Sequence, residues 1–121
     1  MANAAGLKPV VERLPSSILG FGTEKDVLLN QITTLIARGT KPTFPEVKPL
    51  VQAFYKLPNN GAGGRLHIVL DDNNVDDDSV DFCLNEARMS HDILAENLAY
   101  LLLMMSKTQR LKLSQNKWDR T

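Results

Sequence analysis

The chain has 121 residues with 14 basic and 14 acidic side chains, so no overall charge steers it to nucleic acid or to a membrane surface. Its length suits one compact domain, and an apolar fraction of 43% argues against wholesale disorder. The single cysteine, Cys83, excludes an internal disulfide and fits a reducing cytoplasm.

The charge is uneven along the chain. Asp71 to Asp92 holds eight acids and one arginine, and Ser106 to Thr121 holds five bases and one acid. Two faces of opposite sign can hold a fold together, join subunits or meet separate partners. No signal peptide is expected, because the first residues lack a basic patch followed by a long apolar core. The apolar run Tyr100 to Met105 is too short to span a bilayer.

Residues 1–22 are weakly patterned and interrupted by Pro9, Pro15, Gly20 and Gly22, so a flexible N-terminal arm is expected there. Thr23-Glu24-Lys25-Asp26 has the form of a capping box with Asp in place of Glu. The helix after it carries Val27, Leu28, Ile32, Leu35 and Ile36 at helical spacing, with Gly39 as a natural stop and Pro42 beyond it. Thr43-Phe44-Pro45-Glu46 suggests a second capping box. Val47, Leu50, Val51 and Phe54 form one stripe, and Pro49 leaves the helix start open between Pro45 and Lys48.

Pro58 to Gly64 reads as a turn and loop. Its glycines are expected to lead into a strand rather than a helix, and no Gly-Lys-Ser/Thr follows, so neither a P-loop nor a Rossmann turn fits. Leu66 to Leu70 reads as a short strand, apolar and rich in branched residues, with Leu66, Ile68 and Leu70 on one face and His67 and Val69 on the other. The acidic run from Asp71 to Asp78 invites comparison with an EF-hand beginning at Asp72, but the sixth position is Asp77 rather than Gly and the twelfth is Cys83 rather than Glu. Asp76, Asp77, Asp78 and Ser79 instead suit a helix N-terminus. His67, Asp71, Asp72, Cys83 and His91 show no spacing that demands catalysis or metal binding.

The block Gly-Gly-x-Leu-His-Ile-Val-Leu-Asp-Asp-x-Asn, here Gly63 to Asn74, resembles a family of small uncharacterised proteins of bacteriophages and prophages. A following apolar helix that ends near Thr108-Gln109-Arg110 belongs to the same resemblance, which covers roughly the C-terminal half. It implies a viral or mobile-element origin and carries no activity. Asn73 stands where the family pattern has Gly, which bears on whether a positive-φ turn forms there.

Val80, Cys83, Leu84 and Ala87 share a face, which predicts a helix from about Ser79 to Met89. Ser90 is expected to cap the next helix, with Asp92 in its first turn, Leu94, Leu98 and Leu101 inward and Glu96 and Asn97 outward. From Tyr100 to Met105 this helix is apolar all round, more than a small domain is expected to cover unaided. Ser106 to Gln109 forms a further capping box, opening a last helix to about Asn116 with Arg110, Lys112 and Lys117 on it. A recognition helix for DNA is disfavoured by its modest charge and by the nearby acids.

These patterns predict a mainly helical fold of about five helices with one short central strand, an α+β arrangement being the fallback, in a single domain over 23–121. The expected function is that of a small phage-like cytoplasmic protein acting by protein–protein binding in the host cell, without a cofactor or metal. The partner-binding residues would be Asp71, Asp72, Asp76, Asp77, Asp78 and Asp81, meeting a basic region of a host protein; inhibition of a host defence protein fits that profile. A homo-oligomer interface would use Leu98, Tyr100, Leu101, Leu102, Met104 and Met105. Two rivals stay open. One is a nucleotide- or metal-binding protein or enzyme built on Gly63, Gly64, Arg65, His67, Asp71 and Asp72. The other is a DNA-binding regulator using the last helix.

Overall fold

The computed structural model describes residues 23–57 and 64–119; the expected arm over 1–22 and most of the glycine loop lie outside the described residues. Six α-helices stand among them: α1 (Glu24–Arg38), α2 (Phe44–Lys56), α3 (Gly64–Asp71), α4 (Asp77–Met89), α5 (Ile93–Met104) and α6 (Lys107–Ser114). Their principal contacts close a ring in the order α1, α2, α6, α3, α4, α5 and back to α1, around one shared apolar core. No strand is found among the described residues. None of these helices is long and apolar enough to cross a membrane.

Local signals set most helix ends. Thr23 Oγ1 accepts from the Asp26 N–H and Asp26 Oδ2 accepts from the Thr23 N–H, both at 3.3 Å, so the Asp variant of the capping box works. Gly39 ends α1 with φ 78°, a conformation that costs glycine nothing. Glu46 reaches back to accept from the Thr43 N–H at 3.0 Å, and α2 begins at Phe44. Pro49 lies inside α2 on its exposed side, where it forfeits one backbone hydrogen bond without breaking the helix.

The expected strand at Leu66–Leu70 is instead the body of α3. Leu66, Val69 and Leu70 are buried while Ile68 is 57% exposed, a three-and-four spacing rather than an alternation. A helix satisfies its own backbone groups, whereas a lone strand leaves them unpaired. The helix closes in a Schellman motif: Asn73 takes φ 59°, its N–H donates to the Leu70 carbonyl, and the Asn74 N–H donates to Val69. Asn73 therefore takes the left-handed turn itself, a conformation that asparagine tolerates.

Asp76 caps α4, its carboxylate accepting from the Ser79 N–H at 2.9 Å, so the helix starts two residues before the expected Ser79. At its other end Ser90 is the C-cap of α4 and does not open α5. His91 at φ 57° completes a second Schellman motif, and Asp92 caps α5 through the Ala95 N–H at 3.1 Å. Ser106 caps α6 as expected, but the Gln109 side chain accepts from the Phe44 N–H at 2.8 Å, tying the starts of α2 and α6 together rather than closing its own box.

Helix α5 corrects the premise behind the expected interface. Leu98, Leu101, Leu102 and Met105 are buried within the chain itself, because α4 and α1 pack along the helix. Glu96 and Asn97, expected to face outward, are buried too. Glu96 lies 3.3 Å from Arg88 Nε, and Asn97 donates to the Ile93 carbonyl at 2.8 Å, so each enters the core with a partner.

After α6 the chain runs back over α2. Gln52 donates to the Asp119 carbonyl at 2.7 Å and accepts from its N–H at 3.3 Å, and Trp118 stacks on Tyr55 with ring centroids 5.5 Å apart.

Candidate functional site: the acidic turn between α3 and α4

Asp71 to Asp81 spans the end of α3, a tight turn and the start of α4. The turn is held from beneath. Val75 is buried as its apolar plug, and Arg110 rises from α6 to donate one guanidinium N–H to the Val75 carbonyl and another to Asp77. Arg110 is 3% exposed, so this is a cation drawn into the protein to fix a backbone carbonyl. The Ser114 hydroxyl adds a donor to Asn73 Oδ1 at 2.8 Å. The helix that the DNA-binding alternative would use thus spends its arginine on the fold, with Lys107, Lys112 and Lys117 left exposed.

The six acids divide by use. Asp76 is a cap, and the Ser79 hydroxyl and N–H hold its carboxyl below the usual carboxylate range, with Lys107 and Arg110 adding to the effect. Asp77 is the outer half of the Arg110 pair. Asp71 accepts from the Tyr55 hydroxyl at 3.2 Å, and Asp81 accepts from Asn85 at 3.3 Å within the exposed face of α4. Asp72, Asp78 and Asp81 stand exposed to water. Beside the turn lies an open cleft of about 630 Å³ where Lys41 and Lys107 face Asp76 and Asp78 over a floor that includes Leu103 and Met104. Its lining holds both acids and bases, Asp76, Asp77 and Asp78 with Lys41, Lys107 and Arg110, so its field has no single sign.

The residues of the ligand-binding alternative divide between two sides of α3, with His67 and Asp71 both against Tyr55. Gly63 lies outside the described residues, and Gly64 is the first residue of α3. Arg65 lies across the Phe82 ring, 4.7 Å from its centroid, and 3.5 Å from Glu86. His67, two residues later, points to the other side of α3 and stacks on Phe54 with centroids 4.7 Å apart, against Tyr55 at 4.4 Å. No cluster of three or more metal-ligating side chains exists among the described residues. Cys83 is buried, which pushes its thiol up to about 11.

Of the expected oligomer residues, Tyr100 and Met104 alone keep part of their surface; Leu98, Leu101, Leu102 and Met105 are inside. The sequence reading missed three exposed apolar side chains on the hairpin: Ile68, Phe82 and Met89. The signal was present on α4, since the stripe Val80, Cys83, Leu84 and Ala87 leaves Phe82 and Met89 on the opposite side.

The chain matches no family model, no characterised protein and no solved structure.

Proposed function

We propose that this chain is a small binding protein whose acidic turn meets a basic region of another protein. The observation that carries the reading is that Asp72, on the turn, and Asp78 and Asp81, in the first turns of α4, are exposed to water beside a turn anchored by a buried arginine. A fixed array of like charges speeds and orients encounter with an oppositely charged surface. Asp76 and Asp77 contribute to the local field while serving as cap and ion-pair partner. The resemblance of the Gly63–Asn74 block to phage and prophage proteins makes a bacterial host protein the intended partner, and blocking a host defence protein by occupying a basic surface is the action that fits. Self-association plays a lesser part in this reading, through the half-buried Tyr100 and Met104.

The test is affinity capture from a bacterial host lysate by the wild-type chain and by Asp72→Asn/Asp78→Asn/Asp81→Asn. These positions carry no cap and no ion pair, so the variant keeps its fold. The reading expects one defined protein to be held by the wild type and lost in the variant, with loss also on raising salt. Equal retention by both would remove the acidic turn from the mechanism.

A further inference from the structure

We infer that the outer face of the α3–α4 hairpin is a docking site for a basic amphipathic helix, with Ile68, Phe82 and Met89 as the apolar contacts and Asp72 and Asp78 as the charged end. The inference rests on the reading above and adds the partner's shape and the residues that grip it. Arg65, near the start of α3, reaches Phe82 and Glu86 in the middle of α4, while a short turn joins the end of α3 to the start of α4. The two helices therefore run antiparallel. Ile68, Phe82 and Met89 lie opposite the buried stripes of their helices, which turns all three toward solvent.

Their exposure is 57%, 49% and 80%, respectively. Single exposed apolar side chains are ordinary, but three on the outward side of one hairpin make a contact surface. Arg65 and Glu86 pair with each other within that surface, so its charge comes from the turn end. Phe82 and Met89 are seven residues apart on one side of α4, two turns of helix, which matches the anchor spacing of a helix laid along them. Phe82 is braced on one side by the Arg65 guanidinium, which holds the ring in place for a partner. Methionine is adaptable and suits a partner's irregular apolar side. An occupant complementary to this pattern carries leucine-like residues on one stripe and lysine or arginine toward one end.

The test uses the full chain and two synthetic peptides of about 14 residues, roughly four helical turns. One places Leu at i, i+3, i+4 and i+7 with Lys beside that stripe. The other has the same composition in an order with no apolar face. Calorimetric titration is expected to show the amphipathic peptide binding about tenfold or more tightly than its scramble. Amide shift changes should centre on Ile68, Asp72, Asp78, Phe82 and Met89. Phe82→Gln and Met89→Gln, both at exposed positions that leave the core intact, should each erase most of the preference. If both peptides bind equally and Asp72→Asn/Asp78→Asn/Asp81→Asn weakens both, the acidic turn stands and the helix-docking inference falls. If neither binds at low salt, both readings fall. Shift changes on another face, or a free chain already self-associated through this one, would also overturn it.

Discussion

The most discriminating perturbation of the fold is at Arg110. Its guanidinium is buried, one arm on the Val75 carbonyl and the other on Asp77, whose own side chain is 79% exposed. The two arms therefore differ in worth. A charged hydrogen bond to a buried carbonyl contributes about 1.5–3 kcal/mol. The ion pair, screened by water on the Asp77 side, contributes about 1 kcal/mol or less. Arg110→Ala also removes the packing of the aliphatic stem, offset in part because a buried cation no longer has to be desolvated. The expected loss is about 3 kcal/mol for Arg110→Ala against about 1 kcal/mol or less for Asp77→Asn. Arg110→Lys should resemble the alanine variant more than the wild type, since an ammonium cannot reproduce the planar fork. Urea denaturation at low and high salt, followed by far-UV circular dichroism and by the fluorescence of Trp118, the one tryptophan in the chain, measures all three. If Asp77→Asn costs as much as Arg110→Ala, the ion pair and not the carbonyl anchor holds the turn, and the argument fails.

Three further outcomes follow from local geometry. Arg38 and the Thr43 N–H hold the Glu46 carboxyl down to about 2 from its ordinary 4.5. Its contribution to stability is thus full above about 4.5 and is lost as pH falls toward 2, and Glu46→Gln should flatten that part of an acid titration monitored by circular dichroism. The buried Cys83 thiol should react with a disulfide reagent at pH 8 on the order of 100-fold more slowly in the folded chain than in urea; near-equal rates would show that α3 and α4 open readily. His91→Gly should raise stability by about 0.5–1 kcal/mol, because a left-handed backbone angle costs histidine more than glycine; a lower melting temperature would contradict the αL assignment at the end of α4.

Helix starts were legible because capping is local. This held for α1 and α6, where Thr23 and Ser106 precede the helix with the side chain that its free N–H groups need; α2 begins one residue before the range left open for it, α4 two residues before Ser79, and Asp92 rather than Ser90 caps α5. Leu66–Leu70 was not legible for the converse reason. Five apolar residues fit a strand and a short helix alike, and the choice was made by elements elsewhere: the core accepts Leu66, Val69 and Leu70 together, and Asn73 supplies the left-handed turn that ends α3. Glu96 and Asn97 misled because a polar residue usually marks the wet side of a helix. The partner that lets Glu96 go inside, Arg88, sits eight residues earlier across a turn, beyond any helical spacing. Arg110 read as part of a basic surface because its partners, Val75 and Asp77, lie 35 and 33 residues away in the chain. The acidic turn was visible as composition, but the division of its acids between holding the fold and facing water was not.

That division makes the proposed binding surface depend on a residue it does not contain. Asp72 and Asp78 flank the Val75 plug, and the plug is fixed by Arg110 from the far side of the turn. In Arg110→Lys the acids keep their number and their exposure, yet the backbone that spaces them loses its anchor. Capture of a basic partner should then weaken, even at a temperature where circular dichroism shows the chain fully folded. Amide hydrogen exchange at Asn73 through Asp77 should quicken in parallel, since opening of the turn is the physical cause proposed for the weakening. A mere loss of global stability would instead quicken exchange throughout the core and leave capture by the folded fraction unchanged. Quickened exchange confined to the turn with undiminished capture would show that the partner tolerates a mobile acidic loop, and that the buried arginine serves the fold alone.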